Sequence, residues 1–437
     1  HLPEFLHSQA DRIATPEGLA AAFETLIEEA PLRTLSIGEV IEAIDAVARA
    51  WEDPEFPWRK KALRSADRPG GFSRPVLSEA LDALFASITK GALIEALEEA
   101  FGTLDVFDRF VVRGGGMQRV VPLRGILQIF SGNVPQPAVV SLVRGFLLRA
   151  PMLAKPASGD IDFPLCFAAS LEEVAPPLGA SLIVAHWPGA EGKGWRPLFQ
   201  VPEAVVVHGS DETLQTLRAF LTPKQTWIGY GHRTSVALIG RERVEGEEGG
   251  RVAQALAEDV ALLDQRGCLS PRSVYLETSP EGARRFANRL AEALDAIEAR
   301  LPSPPLLPGE VSGILALRSL AALRGARLWN AERPNWTILL HPTLALEASG
   351  LHRVVNLFAV RDLEELSPLF HRHRNRLQGM GLAVAPERQM AIAEAFPFFS
   401  RYCPIGRMQR PPFSWPQDRF RSLAKMARWI SLEGEGG

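Results

Sequence analysis

The sequence GILQIFSGNVP, residues 125–135, joins an apolar run to a short turn that contains Gly, Asn and Pro. An apolar run of this length, bounded by Gly and Pro, is typical of a strand that is buried on both faces of a parallel sheet. Similar runs follow along the chain, separated by segments with helical spacing; they cover residues 152–155, 182–185, 204–208 and 234–239. This alternation predicts an α/β fold with a parallel sheet.

The regions on either side of these strands have different patterns. Residues 15–102 have the spacing of amphipathic helices, and two β-rich runs around Gly114–Gly116 predict a hairpin. The charged, Gly-rich residues 241–250 predict a surface loop at the seam before a second α/β unit. The chain ends in a polar Gly/Glu run with the composition of a disordered tail.

Composition narrows the class of protein. The chain has 437 residues, of which 46% are hydrophobic and 23% are charged, as in soluble globular proteins of two or three structural units. A net charge of −3 does not favour a nucleic-acid partner, and no apolar stretch reaches the roughly 20 residues of a membrane span. Three cysteines without CxxC spacing argue against disulfides and a metal site, which predicts a reducing, cytoplasmic location.

Cys268 is the main candidate for a chemical role. The run DQRGCLSP, residues 264–271, places its thiol at a bend between Gly267 and a Ser-Pro pair. A cysteine acts as a nucleophile when nearby positive charge lowers its pKa, and Arg266 is the nearest candidate in sequence. A lone cysteine is more often an inert core residue, which is the role we predict for Cys166 and Cys403.

Four segments occur together in one order: Ser131–Pro135, Lys155–Ser158, His208–Ser210 and Cys268. In this order and spacing the chain resembles the aldehyde dehydrogenase superfamily. Within that superfamily, residues 264–271 and the C-terminal stretch from Pro404 to Asp418 are most similar to the LuxC-type acyl-CoA and acyl-protein thioester reductases. The resemblance extends from about Phe107 to the end of the chain.

The resemblance assigns roles to particular residues. Cys268 is implied to be the nucleophile, and the Asn133 side chain, with the Cys268 backbone N–H, to stabilise the oxyanion. The residues implied to bind the cofactor are Lys155, Ser158, Gly209, Ser210, Gly231 and Glu347. Among these, Lys155 would contact the adenine ribose, Ser210 the pyrophosphate at a helix start, and Glu347 the nicotinamide ribose.

At two positions this chain differs from other members of the superfamily, and these differences indicate its cofactor and its reaction. NAD-selective members carry an acidic residue where this chain has Ser158, so we expect NADPH, with NADH also possible. Aldehyde-oxidising members carry a Glu that activates water for hydrolysis, but residues 227–233 contain no carboxylate. An acyl-cysteine that resists hydrolysis favours thioester reduction.

We therefore predict an aldehyde-dehydrogenase-like α/β fold with two parallel units and a small β arm for oligomerisation. Residues 1–240 would hold the N-terminal helices and the cofactor-binding domain, with a hairpin arm at 107–122. Residues 241–400 would form the catalytic domain and residues 401–437 the C-terminal arm and tail. Pairing of the arms between subunits would give a homodimer or homotetramer.

The predicted substrate is an acyl-CoA or acyl-protein thioester with a fatty acyl group, delivered in the second case by an acyl-transferring partner protein. Alternatives from the same superfamily are a CoA-acylating dehydrogenase of short aldehydes and a phosphate-ester reductase. A non-catalytic scaffold protein is the alternative from another class. Retention of Cys268, Asn133 and the cofactor segments together argues against the scaffold.

Overall fold

The computed structural model describes residues 15–132, 134–187, 193–347 and 352–433. The chain divides into two compact units. The first unit comprises His1–Ala62, Leu84–Gly231 and Pro412–Gly437, and the second comprises Leu63–Ala83 and His232–Pro411. The assignment of cofactor binding to residues 1–240, catalysis to 241–400 and an arm to 401–437 stays a prediction.

The helices and strands follow in chain order. The α-helices are α1 Pro16–Glu29, α2 Ile37–Glu52, α3 Pro57–Ala62, α4 Arg74–Phe85, α5 Lys90–Phe101, α6 Gln136–Leu147, α7 Asp162–Val174, α8 Pro176–Gly179, α9 Asp211–Arg218, α10 Arg241–Val244, α11 Gly246–Ala261, α12 Pro280–Glu298, α13 Pro308–Leu323, α14 Ser367–His373, α15 Pro386–Ala395 and α16 Ser422–Met426. The strands are β1 Val111–Arg113, β2 Gly116–Val121, β3 Ile126–Ile129, β4 Met152–Lys155, β5 Leu182–Val184, β6 Ala204–His208, β7 Thr226–Tyr230, β8 Thr234–Ile239, β9 Pro271–Glu277, β10 Arg327–Asn330, β11 Thr337–His341, β12 Val354–Val360, β13 Leu377–Ala383, β14 Arg401–Pro404 and β15 Arg428–Leu432.

The first unit contains a five-stranded sheet in the order β5-β4-β3-β6-β7, in which every neighbouring pair is parallel. Strands β3, β4 and β6 are buried along their whole length, because their apolar residues are covered on both faces. The sequence predicted β4 and β6 with their observed bounds. The parallel α/β prediction for this region is confirmed.

The second unit contains a seven-stranded sheet in the order β10-β11-β12-β9-β8-β13-β14. Only the pairing of β10 with β11 is antiparallel among these strands. Helix α12 begins at the Ser279 N-cap, whose hydroxyl accepts the Gly282 N–H. Its apolar stripe, which includes Phe286 and Leu290, is fully buried in the core beneath the sheet.

The predicted hairpin is β1 and β2, and the C-terminal strand β15 adds to β2 in antiparallel register. Trp429 on β15 is within van der Waals range of the Phe101 ring, with centroids 5.9 Å apart, and the Arg113 guanidinium lies 5.0 Å from the Trp429 centroid. The hairpin and the tail therefore form one small sheet within the chain. Its proposed role in pairing with another subunit stays a prediction.

The loop predicted at residues 241–250 is wrong, because α10 and the start of α11 occupy this stretch. Acidic Glu247 and Glu248 lie in the first turn of α11, where they stabilise the positive end of the helix dipole. A Cβ on Gly249 would lie 2.1 Å from the Val244 carbonyl oxygen. The glycine that suggested a loop is therefore a close-packing residue of a helix.

In the described ranges, no helix has both the length and the apolar composition needed to cross a membrane. The polar end predicted to be disordered includes residues 434–437, which lie outside the described residues.

Candidate active site

Cys268 lies on a loop between α11 and β9, in the second unit. Its residue is half-buried, whereas its neighbours Gly267 and Leu269 are buried. The loop begins with three residues that have positive φ, namely Leu263 at 62°, Asp264 at 51° and Gln265 at 56°. Such residues cost about 1–2 kcal/mol each in the left-handed region, and strain of this kind persists only where the surroundings fix it.

Arg353 binds one of these strained residues, Asp264, and links it to the end of α12 and the residues after it. Its Nε donates to Asp264 Oδ1 at 2.8 Å, its Nη1 to Glu298 Oε2 at 2.8 Å, and its Nη2 to the Leu301 carbonyl at 2.8 Å. The Arg353 and Asp264 side chains are both 0% exposed. Gln265 adds a bond from its Nε2 to the Pro271 carbonyl at 2.8 Å, which closes the loop across the cysteine.

Two further polar side chains hold the segment around the cysteine. Ser235 Oγ donates to the Cys268 carbonyl at 2.7 Å and accepts the Gly379 N–H at 3.1 Å. Gln409 Nε2 donates to Ser270 Oγ, and both side chains are buried. The backbone that carries the thiol is thereby anchored on both sides, as a positioned nucleophile requires.

Arg272 is the cation that the structure adds to this environment. Burial lowers the pKa of the Arg272 guanidinium, while the charge of the Cys268 thiolate raises it, so the two groups interact. Arg266, the cation favoured from sequence, donates to the Gly70 carbonyl, lies 5.0 Å from the Phe72 centroid and forms an ion pair with Glu310 at 3.5 Å. Arg266 therefore has structural contacts of its own.

The other two cysteines are less suited to nucleophilic chemistry. Burial raises the pKa of the Cys166 thiol to about 11, and burial likewise raises the pKa of Cys403 to about 11. The thiolate is the reactive form, so both groups are almost wholly protonated near neutral pH.

Glu347 also lies in the second unit, close to the amino end of β9. Its backbone N–H donates to Ser273 Oγ at 3.1 Å, and its carbonyl accepts from the same hydroxyl at 3.1 Å. Tyr275 OH donates to the Ala345 carbonyl at 2.9 Å, so the segment before Glu347 runs along the face of β9. The unit thus brings Glu347 and the cysteine loop to the same end of β9.

In the first unit, Lys155 ends β4 and Ser158 follows in the next turn. Lys155 Nζ lies 5.5 Å from the Trp187 centroid, burial lowers the pKa of its ammonium, and no described carboxylate forms an ion pair with it. Ser158 Oγ is 3.0 Å from His186 Nε2. Burial and the Lys155 charge lower the pKa of His186. A buried cation without an anionic partner fits a negatively charged ligand.

Ser210 is the N-cap of α9, and its Oγ accepts the Thr213 N–H at 3.1 Å. Gly209 precedes it at the end of β6, where a Cβ would lie 3.2 Å from Thr213 Cγ2. Gly231 directly follows β7. These residues share the carboxyl edge of the five-stranded sheet with Lys155, because all its strands are parallel. Asn133, the predicted oxyanion residue, lies outside the described residues.

Sequence reasoning did not single out Arg353, Arg272, Ser235 or Gln409 in the second unit, nor Trp187 in the first. The Trp187 indole Nε1 is buried and has no hydrogen-bond partner among the described residues. The local signal for Trp187 was an aromatic residue a short distance after a strand, which ends at Val184. Within the described residues, no group of three or more His, Cys, Asp or Glu side chains is placed to hold a metal ion.

A family model described as Acyl-CoA reductase (LuxC) matches residues 32–429. The chain belongs to the LuxC family of acyl-CoA reductases. The predicted family and the predicted class of enzyme are confirmed by this match. One curated LuxC relative is the long-chain acyl-protein thioester reductase of Aliivibrio fischeri, which is 22% identical over 347 residues, covering 78% of this chain and 71% of the relative.

Solved structures place this LuxC family member among the aldehyde dehydrogenases by fold. A benzaldehyde dehydrogenase from Corynebacterium glutamicum has a TM-score of 0.68 at 15% identity, covering 96% of this chain and 91% of that one. A glyceraldehyde-3-phosphate dehydrogenase from Methanocaldococcus jannaschii, solved with NADP, has a TM-score of 0.70 at 11% identity, covering 96% and 94%. The prediction of an aldehyde-dehydrogenase-like fold is confirmed.

Proposed function

We propose that the protein reduces an acyl thioester to the aldehyde through an acyl-cysteine on Cys268. The observation that carries the proposal is the half-buried Cys268 on a loop anchored from both sides, in a chain of the LuxC family, with the charge of its thiolate interacting with that of Arg272. A neighbouring cation favours the thiolate, and an anchored loop limits the entropy lost when the thiolate attacks. Cys166 and Cys403 also have a cation nearby, Lys61 and Arg401 respectively, but burial outweighs that charge and raises the pKa of each thiol to about 11.

The acylation step uses groups of the chain alone. The Cys268 thiolate attacks the thioester carbonyl carbon, a new S–C bond forms, and the carbonyl oxygen takes the negative charge. The Cys268 backbone N–H and the Asn133 side chain are the proposed donors to that oxygen. Collapse of the tetrahedral species breaks the bond to the donor sulfur, which leaves and takes up a proton. The acyl group is then on Cys268.

The cofactor proposed for the reductive step is NADPH. When bound, it supplies the hydride that converts the acyl group to the aldehyde. Lys155, Ser158, Gly209, Ser210 and Gly231 would hold it at the carboxyl edge of the five-stranded sheet. The unpaired charge of Lys155 fits a phosphate-bearing ligand.

Glu347 is the residue proposed to meet the nicotinamide ribose. A carboxylate suits this task, because it accepts hydrogen bonds from ribose hydroxyls. The fixed backbone of Glu347, held through Ser273, supports a positioned carboxylate.

Slow hydrolysis of the acyl-enzyme distinguishes this reaction from aldehyde oxidation. Residues 227–233 contain no Asp or Glu, and Ile228 and Tyr230 within them are buried. Without a carboxylate to activate water, the acyl-cysteine persists for reduction or for exchange with another thiol.

The proposed donors are acyl-CoA, which the family description names, and acyl-protein, which the name of the Aliivibrio fischeri relative contains. A partner protein that transfers the acyl group belongs to the second case. Both donors present the same thioester to Cys268, so one assay format compares them.

The test is mass spectrometry of the full chain after mixing with a long-chain acyl-CoA, without reduced cofactor. We expect one acyl adduct on Cys268 in the wild type and none in Cys268→Ser. Cys166→Ser is the matched control and should retain the adduct. An adduct on Cys166 or Cys403 instead of Cys268 would refute the assignment. Oxidation of NADPH on adding the donor, absent in Cys268→Ser, tests the complete reaction.

A further inference from the structure

A cavity in the first unit has a charge arrangement that the proposed reaction does not use. Its volume is about 60 Å³, and its lining includes Arg144 from α6, Arg421 and Ser422 near α16, and the aromatic residues Phe413 and Trp415. A cavity needs roughly 10–15 Å³ to hold one water, so this one has room for a small polyatomic group.

Arg144 is the feature that points to a ligand. Its residue is only 7% exposed, and it lines the cavity. Its guanidinium contacts the Trp415 carbonyl, 3.4 Å from Nη2, and the Phe413 ring, whose centroid is 5.9 Å away. No carboxylate among the described residues forms an ion pair with it. A buried guanidinium that is not paired with an anion is costly, which indicates that an anion completes the site.

The other polar groups of the lining leave Arg144 without a counter-charge. Arg421 Nη1 donates to the Glu99 backbone carbonyl at 2.7 Å, and the Glu99 carboxylate forms no ion pair with either arginine in the described structure. The Ser422 hydroxyl is hydrogen-bonded to Tyr230 OH. The lining therefore offers two guanidinium groups, and the carboxylate of Glu99, which also lines the cavity, forms an ion pair with neither of them in the described structure.

His208 lies next to this arrangement. Its ring stacks on Tyr230 with centroids 4.6 Å apart, and its Nε2 is buried with no hydrogen-bond partner among the described residues. Burial, with a further contribution from the Arg144 charge, lowers the pKa of His208 to about 3. The imidazole is therefore neutral near pH 7 and does not add to the positive charge. The cation that an incoming anion meets is Arg144.

We propose that this cavity, walled by Arg144 and Arg421, binds a small oxyanionic group. Guanidinium groups bind carboxylate and phosphate with paired N–H donors, and the apolar walls strengthen such bonds by excluding water. Two sources share this chemistry. One is the phosphate of a nucleotide or of CoA, and the other is the carboxylate of a free fatty acid.

The experiment is isothermal titration calorimetry of the full chain with sodium phosphate and, separately, with sodium acetate, at constant ionic strength maintained with chloride. We expect wild type to bind at least one of the two anions and Arg144→Gln to bind it at least tenfold more weakly. Arg33→Gln, which changes an exposed arginine of the same unit, should match wild type. Binding of phosphate alone identifies a phosphate-bearing ligand, and binding of acetate alone identifies a carboxylate.

A second control separates this cavity from the proposed cofactor site. Lys155→Gln should leave the anion affinity of the cavity unchanged, because Lys155 is not part of its lining. Loss of phosphate binding in Lys155→Gln with retention in Arg144→Gln overturns the proposal. So does a wild type that binds neither anion. These outcomes do not depend on reductase activity. A cavity that binds no anion would not contradict the proposed thioester reduction, and a protein without reductase activity would not contradict anion binding.

Circular dichroism of each variant checks folding. If Arg144→Gln does not fold, Arg421→Gln carries the test, since Arg421 is exposed and its replacement should be tolerated. A threefold or greater loss of anion affinity in Arg421→Gln supports the cavity, and an affinity equal to wild type overturns it.

Discussion

Replacing Arg353 by Met should destabilise the second unit and disturb the cysteine loop. Methionine preserves much of the apolar stem but removes the three donors that reach Asp264, Glu298 and the Leu301 carbonyl, each at 2.8 Å. Asp264 is then a buried carboxylate whose cation is gone. Arg353 itself has a φ of 45°, so the substitution keeps a strained backbone while removing the contacts that stabilise it.

The size of the effect follows from these contacts. Removing one partner of a buried ion pair costs about 3–5 kcal/mol, and an unpaired carbonyl adds roughly 1 kcal/mol or more. Relaxation of one strained residue in the 263–265 turn limits the loss, because leaving the left-handed region recovers about 1–2 kcal/mol and lets the carboxylate reach water. We therefore expect a net loss of about 3 kcal/mol, with local opening of the loop before global unfolding.

Urea unfolding followed by circular dichroism measures the loss of unfolding free energy. The rate of iodoacetamide alkylation at Cys268, read by mass spectrometry, measures the local opening of the loop. The alkylation rate should change at Cys268 and not at Cys403. Arg251→Met is the matched control, because Arg251 is exposed and pairs with Glu248 on the same helix, so its loss should cost less than about 1 kcal/mol. Equal unfolding free energies for Arg353→Met and Arg251→Met would refute the reasoning.

Three further substitutions test other parts of the structure. Burial alone would raise the pKa of Glu277, but hydrogen bonds from Arg388 and Arg241 outweigh it and lower that pKa to about 2. The ionised Glu277 carboxylate therefore stabilises the fold by about 3 kcal/mol above pH 4.5, and this stabilisation is lost as the pH falls towards 2. The melting temperatures of wild type and Glu277→Gln should converge at low pH. A difference in melting temperature that does not change with pH would contradict this prediction. Ser158→Glu should weaken NADPH binding and favour NADH, measured by fluorescence quenching; unchanged NADPH affinity would remove Ser158 from the cofactor site. Gln409→Leu should slow acylation of Cys268 at unchanged cofactor affinity, because the buried Ser270 hydroxyl loses its partner at a cost of about 1–3 kcal/mol; acylation at the wild-type rate would show that this bond does not position the loop.

The parallel strands could be predicted from sequence because their signal is local. An apolar run such as residues 204–208 predicts a strand without knowledge of the strands beside it in the sheet. The turn with Gly209 and Ser210 marks where that strand ends and the helix begins. The same reasoning located Lys155 and Ser158 at one edge of the sheet. The same reasoning predicted a loop at residues 241–250, which is wrong. The glycine in the first turn of α11 allows close packing and does not mark a loop.

The cysteine loop shows what a local pattern does not contain. Residues 264–271 drew attention to Gly267 and Cys268, yet the left-handed turn that precedes them involves Leu263, Asp264 and Gln265, none of which has a glycine's preference for that region. What holds the turn is Arg353, 89 residues away from Asp264 in sequence and itself strained. No pattern of spacing links the two, because an ion pair across a core is specified by the packed fold alone.

The same distinction separates the two sets of candidate site residues. Cofactor candidates such as Ser210 lie where a strand ends and a helix begins, so the few residues on either side determine their position. The nucleophile depends on the side chains of Ser235 on β8, of Gln409, and of Arg353 directly before β12. Because several residues distant in sequence hold the thiol in position, substitutions far from Cys268 in the sequence can alter its reactivity. Variants at Arg353 and Gln409 should therefore affect Cys268 chemistry more than cofactor binding.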